Sequence, residues 1–265
     1  MINRERLVEL YRDTHFKTTF IAAYLNNGFK EHKAEEQYNH LFNMLAEETT
    51  DGSVHVSCAP SDELRKRVLS IANDGLNFDP NAKEILLKGY LTEDKRPAVA
   101  SILRYRGMHR LVAACPDIRI HSTQIVYESD SFTWLGSEMR PSFASNGRNQ
   151  NTNIVCGFTV FTLKDGSVIC YKVSAEELMA VVEMNLKMIA DFGGQPTDSL
   201  YNTAWRDRCL RIVTFRMAFR EYQHLFSRND TMTLEGEENN TTNTVNVSPN
   251  LAAILETELQ QSANA

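Results

Sequence analysis

The chain opens with three stretches in which apolar residues return every three or four positions, the spacing of a helix that buries one face. They predict helices over 2–13, 16–25 and 31–48, with Asn26-Asn27-Gly28 stopping the second before the third begins. In the third, Ala34, Tyr38, Leu41, Phe42 and Leu45 share a face suited to the core or to contact between subunits. Asp51-Gly52 reads as a turn and 54–56 as a short strand. Ser61, with Asp62 and Glu63 behind it, suits the N-cap of a fourth helix running through Leu64, Val68 and Ile71 to a stop at Gly75. Arg65-Lys66-Arg67 lies on that helix, but successive residues point about 100° apart, so the three cannot form one tight patch.

Beyond this helix the pattern shifts to short apolar runs and alternation. Gly75-Leu76-Asn77-Phe78-Asp79-Pro80 is a turn-rich entry to an extended segment over 83–91, and 98–103 reads as a strand. A short helix over 106–115 follows, packed through Met108, Leu111 and Val112. Residues 118–127 alternate as a strand, and 131–135 is expected to pair with it across Glu128-Ser129-Asp130. The polar stretch 141–153 reads as a mobile loop that carries Arg140 and Arg148. Strands over 153–163 and 167–173 flank Lys164-Asp165-Gly166-Ser167, the clearest hairpin signal in the chain. Ser174 caps a helix over 175–190, and the Gly193-Gly194-Gln195-Pro196 loop separates it from a basic element over 201–226.

That last element carries Arg206, Arg208, Arg211, Arg216 and Arg220, interleaved with Trp205, Phe215, Met217, Phe219 and Tyr222. The arginines do not share one stripe. A helix lining a groove on one side and the core on the other has this pattern, as does one whose arginines are paired and solvated. From Ser227 the chain turns to Asn, Thr and Glu, with little that is apolar until Leu251, which predicts a disordered acidic linker. Ser248-Pro249 then opens a short amphipathic helix with Leu251, Ile254, Leu255 and Leu259, which is marginal alone in water. The expected division is a core over 1–226, its first 50 residues helical and suited to subunit contacts, and a flexible acidic tail over 227–265.

Composition narrows the class. With 265 residues, 42% of them hydrophobic, the chain is long enough to bury a core, and no apolar run approaches the roughly 20 residues of a membrane span. The N-terminus lacks a signal-peptide core, so the expectation is a soluble cytoplasmic protein. Cys58, Cys115, Cys156, Cys170 and Cys209 are scattered, odd in number and without a Cys-x-x-Cys pair, which predicts reduced, mostly buried thiols and argues against zinc and disulfide scaffolds. The net charge of −6 is uneven. Residues 1–94 carry −5, residues 95–226 carry +4 and the tail carries −5, so a basic middle lies between acidic ends.

Arg104-Tyr105-Arg106-Gly107-Met108-His109-Arg110 stands at the junction of strand and helix within that basic middle. Guanidinium groups, helix N-terminal amides and an aromatic ring in one place suit a phosphate backbone with bases beside it. The blander reading is a solvated turn whose arginines pair with neighbouring carboxylates. No nucleotide-cradling glycine loop, metal-spaced histidine set or nucleophile elbow is present. Glu128 with Asp130, and Asp165 with Glu176 and Glu177, form a carboxylate set that a metal-dependent nuclease would use, although turns and helix starts explain them locally.

Three segments, in order, resemble motifs of the RecT/Redβ family of phage single-strand annealing proteins. Gly75-Leu76-Asn77-Phe78, followed by Lys83-Glu84-Ile85, is similar to the family's Gly-Leu-x-Pro segment leading into a strand, with Pro80 displaced by two positions. Arg104-Tyr105-Arg106-Gly107-Met108 resembles its Gly-Tyr-Arg-Gly-Met motif, with Arg104 in place of the glycine. Trp205 through Arg220 resembles its Trp-led basic helix: Arg211 falls on a lysine of the Lys-Lys-Thr group and Arg216 on the second arginine of the Arg-Arg pair, while Phe215 replaces the first. The resemblance covers about 74–222.

The resemblance implies an α+β core with a twisted antiparallel sheet and flanking helices, assembled into rings or helical filaments. It also implies binding of single-stranded DNA and annealing to a duplex without nucleotide hydrolysis or a cofactor, often beside a partner exonuclease. The expected DNA-binding set is Arg104, Tyr105, Arg106, Arg110, Lys172, Trp205, Arg208, Arg211, Arg216 and Arg220. Annealing asks only for neutralised phosphates and accessible bases, which cationic and aromatic side chains supply, and an oligomer lines up several such sites on one strand. The alternatives are the nuclease above and an accessory module that binds strands without speeding their pairing. The tail is read either as a solubilising end or as a tethered docking helix for a partner exonuclease or the host's single-strand-binding protein.

Overall fold

The computed structural model describes residues 2–47, 54–146, 153–226 and 233–234. The chain divides into two compact units: the described residues up to Leu111 together with 233–234, and those from Val112 to Phe226.

In the first unit, helices α1 (Arg4–Arg12), α2 (Thr14–Asn26), α3 (Glu31–Ala46) and α4 (Ser61–Asn73) accompany a hairpin of β1 (Ile85–Leu91) and β2 (Pro97–Leu103). The apolar stripe read from α3 is buried at Ala34, Tyr38, Leu41 and Leu45. It meets an aromatic cluster in which Phe20 touches Tyr24, Tyr38 and Phe78, with ring centroids 5.1, 5.4 and 5.7 Å away. Aromatic pairs at such separations add to the area they bury. Side-chain caps start the helices: Asn3 accepts from Arg6 N and Asp13 accepts from Phe16 N.

Two local expectations change in this unit. Residues 54–56 form no strand; Val56–Cys58 is a 3-10 turn, because His55 Nδ1 accepts from the Ser57 N–H and closes it. The Arg6 guanidinium fixes the far side of the turn by donating to the carbonyls of Ser57, Cys58 and Ala59. The fourth helix takes Pro60 at its N-cap and Ser61 as its first residue.

The second unit is built on a sheet in the order β3 (Ile118–Tyr127), β6 (Ile154–Leu163), β7 (Val168–Ser174), antiparallel throughout. The Asp165-Gly166 hairpin joins β6 and β7 as expected, and Ser174 and Glu177 form a reciprocal capping box that starts α6 (Ala175–Asp191). Helices α6 and α7 (Arg206–Glu221) pack on the sheet, and α8 (Gln223–Phe226) ends the unit. Gly157 marks the closest approach: a Cβ there would lie 2.3 Å from Thr214 Oγ1 of α7. On the other face, Cys156, Phe158 and Val160 pack against Phe132, Trp134 and Phe143.

The expected pairing of 131–135 with the preceding strand does not form. Instead β4 (Ser131–Thr133) pairs with β5 (Ser142–Ala144) in a separate two-stranded ribbon, so part of the predicted loop is strand. The physical reason is apolar: the ribbon places Phe132 over Phe158 at 5.4 Å and Phe143 edge-on to it at 5.5 Å. Arg148 lies outside the described residues, as does nearly all of the predicted tail, including its terminal helix. Within the stretch expected to be an unstructured linker, β8 (Thr233–Leu234) pairs parallel to Ile102 and Leu103 of β2.

Helices and antiparallel sheets thus occur together, as an α+β chain requires. Among the described residues no helix is long and apolar enough to cross a membrane. None of the five cysteines forms a disulfide; Cys58 is half-buried and the rest are buried. Because α7 leaves no room above Gly157, Gly157→Ala should destabilise the chain by about 1–3 kcal/mol, read as a lower urea midpoint. A midpoint equal to wild type would contradict the close helix-to-sheet contact.

Candidate nucleic-acid interface

The first two motif segments interlock. Residues 75–78 have no regular structure, and their backbone polar groups are held by side chains from four places. The Gly75 carbonyl accepts from Arg110 Nε at 2.8 Å, and the Leu76 carbonyl accepts from the Tyr24 hydroxyl. The Asn77 N–H donates to Glu84 Oε2 at 2.8 Å, and the Phe78 N–H donates to Gln37 Oε1 at 2.7 Å. Buried backbone groups outside helices and sheets need such partners, so this segment depends on distant side chains for its path.

Glu84 links it to the junction. Its carbonyl accepts from Arg104 N at 3.0 Å, fixing the end of β2 where α5 (Tyr105–Ala114) begins. Its carboxylate lies 3.5 Å from Arg110 Nε, and the Arg110 guanidinium also covers the Phe29 ring at 5.2 Å. The Glu84 side chain is 11% exposed. Burial therefore pushes its carboxyl above the ordinary value, and Arg110, the Asn77 N–H and Arg106 pull it back in part. The motif glycine also has a steric reason: a Cβ on Gly107 would sit 2.2 Å from the Glu84 carbonyl oxygen.

This lock sorts the first basic cluster. Arg110, expected at the DNA, has its Nε on Gly75 and Glu84 and its guanidinium over Phe29, while its side chain stays 37% exposed. Arg106 is exposed, with one long bond of 3.4 Å to the Asn81 carbonyl. Arg104 and Tyr105 are half-buried at the helix start, where Tyr105 meets the His109 ring edge-on at 4.3 Å.

The remaining candidates belong to the second unit. Trp205 precedes α7, is 37% exposed and lies under the Arg208 guanidinium at 5.4 Å, an exposed cation–π pair. Arg211 pairs with Asp207 at 2.6 Å, and Asp207 also accepts from the Tyr127 hydroxyl. Arg220 is exposed in the last turn of α7. Lys172 is exposed on β7, 5.5 Å from the Trp134 ring centre. Arg216 corrects the expectation: it is 5% exposed on the packed side of α7 beside Ile212, Val213 and Phe219, so it cannot meet a strand at the surface of this fold. The helix fills both sides of its wheel, with Arg216 on the core side. Arg104 and Arg106 on one hand, and Arg211 and Arg216 on the other, lie in different units.

The carboxylates considered for a nuclease have local work. Asp165 accepts from the Ser167 N–H and hydroxyl, and those bonds hold its carboxyl below the ordinary value. Glu177 completes the capping box, Glu128 accepts from Asn153, and Asp130 accepts from the Tyr127 and Asn146 N–H groups. Among the described residues no three His, Cys, Asp or Glu side chains gather as a metal ion would require. Sequence reading missed Glu84, Gln37 and Tyr24 as anchors; the one signal was a carboxylate set directly before the apolar β1 run.

Compared with known proteins, the chain matches no family model and no curated protein sequence.

Arg110→Ala should lower stability by about 1–3 kcal/mol, because it strands a buried carboxylate and the Gly75 carbonyl, whereas Arg106→Ala should leave the urea midpoint nearly unchanged. Equal effects would contradict the division of labour. Glu84 also sets a pH signature. Its folded value lies above the ordinary 4.5, so the folded state holds the proton more tightly. Its stabilising contribution is therefore present at acid pH and falls as pH rises through the folded value. The stability of wild type relative to Glu84→Gln should decline as pH rises from the ordinary glutamate range; a rising difference would contradict burial as the dominant cause.

Proposed function

We propose that this chain binds single-stranded DNA and anneals complementary strands without nucleotide hydrolysis, acting as an oligomer in recombination of the phage type. The observation that carries this reading is the junction at Arg104–Arg106. The neighbouring Arg110 is held against Gly75 and Glu84, while Arg106 stands exposed at a helix start that Glu84 holds in place. A cation fixed to a rigid strand-to-helix turn suits a phosphate, because little conformational freedom is lost when the strand arrives. Tyr105 beside it and the Trp205–Arg208 pair offer ring faces for bases. The resemblance to single-strand annealing proteins supports the same reading, since two of its three segments are tied together through Glu84.

Binding draws on Arg104, Tyr105, Arg106, Trp205, Arg208, Arg211 and Arg220, with Arg216 serving the core. A partner exonuclease or single-strand-binding protein is the candidate for the apolar terminal stripe of the tail beyond Ser227.

Mixing dye-labelled complementary strands with the protein, magnesium and no nucleotide tests the proposal. Intact strands should become duplex faster than in buffer. Shortened strands would replace annealing by a nuclease, and binding without faster pairing would reduce the chain to an accessory module. Arg106→Ala should weaken single-strand binding and lower the slope of log affinity against log salt by about one unit. A folded variant with an unchanged slope would remove Arg106 from the interface.

A further inference from the structure

In the second unit, one face of the β3-β6-β7 sheet is closed and the other is only partly covered. Gly157, Thr159 and Phe161 of β6 are buried, with Gly157 against Thr214 and Phe161 beside Phe215 of α7. The alternate residues face the other way, since successive side chains of a strand point to opposite faces. There the β4-β5 ribbon covers Phe158 with Phe132 and Phe143. Beside that cover, which Trp134 and Val168 extend, the face is open in part among the described residues. Ser122 and Gln124 of β3, cross-strand from Val160 and Phe158, are half-exposed, and Ile120 is 59% exposed.

Two cations and an indole lie on this open face. Lys172 is cross-strand from Phe158 and therefore on the same side, with its ammonium over the half-exposed Trp134 ring. Among the described residues Lys172 meets that ring rather than a carboxylate. Arg140, exposed, donates to Thr162 Oγ1 at 2.7 Å, which lays its guanidinium on the same face. Trp134 packs on the Cys156, Phe158 and Val160 core yet stays half-exposed, so a base that displaces the Lys172 ammonium can reach its ring, and Lys172 and Arg140 put positive charge on the same face. Half-exposed Ser122 and Gln124 add donors and acceptors for base edges. Aromatic side chains on an open sheet face, rimmed by cations, are a recurrent way of binding unpaired nucleotides.

We propose that this face is a further contact surface for single-stranded DNA, in which Trp134 stacks on a base while Lys172 and Arg140 meet the flanking phosphates. The inference rests on the single-strand-binding reading above and assigns that reading a site within the second unit alone.

The chain has two tryptophans, so Trp205→Phe leaves Trp134 as its sole indole. Full-length Trp205→Phe is titrated with oligo(dT) while indole emission and the anisotropy of a labelled oligo(dT) are followed together. Saturable quenching of Trp134 in step with anisotropy is expected. In the wild-type background, Lys172→Ala and Arg140→Ala should each lower the salt slope by about one unit, and Trp134→Ala should weaken binding roughly 5- to 100-fold. Oligo(dT) binding with unchanged Trp134 emission, and with Lys172→Ala and Arg140→Ala equal to wild type, overturns this surface and leaves the binding reading standing. No anisotropy change in wild type at low salt overturns both. The lysine and arginine variants keep the test decisive should Trp205→Phe fold poorly, because both side chains are exposed.

Discussion

A carboxylate taken out of water has to be matched by partners that stay with it, and in the first unit that carboxylate is Glu84. Its Oε2 meets Arg110 and accepts from the Asn77 N–H, and its main-chain carbonyl accepts from the Arg104 N–H. Arg110 and the Asn77 N–H offset part of the desolvation, and burial still leaves the carboxyl above its ordinary value. The consequence is geometric. Residues 75–78, the end of β2 and the start of α5 are linked through the Glu84 side chain and its own peptide. Gly107 permits this because any larger residue would strike the Glu84 carbonyl.

Two kinds of arginine result. Arg216 is turned onto the packed side of α7, while Arg110, half-exposed, is held against a carboxylate and a ring. Arg106, Arg208 and Arg220 remain at the surface, where, in the proposed binding, they would displace counterions from a strand's phosphates. The chain's overall acidity does not oppose this, since charges separated by more than a Debye length are screened and the local field decides what binds.

Periodicity carried much of the fold. The apolar stripe on α3, the Asp-Gly hairpin of β6 and β7, and the Ser174 cap of α6 are all local signals, and each element forms where its pattern places it. The β4-β5 ribbon was not legible, because its stability comes from Phe132 and Phe143 reaching Phe158, 26 and 15 residues away in sequence, which alternation does not encode. The 3-10 turn at Val56–Cys58 escaped for a similar reason: Val54 and Val56 suggest a strand, while the His55 side chain and Arg6 hold a turn. In the site, the junction and its exposed Arg106 were legible as a basic cluster. Which arginine would be absorbed was not, because that depends on Glu84, Gly75 and Phe29 converging from separate elements. A wheel of α7 showed that its arginines diverge but not that Arg216 is the one turned inward.

The central claim is that the Arg104–Met108 turn, held by Glu84, is where single-stranded DNA touches the first unit. Hydrogen exchange of the full chain, with and without saturating oligo(dT), tests it most directly. The account predicts slower exchange at the peptide spanning the start of α5 when the strand is bound, with the buried centre of β6 unchanged. Bound oligo(dT) that leaves exchange at the start of α5 as it was would contradict it.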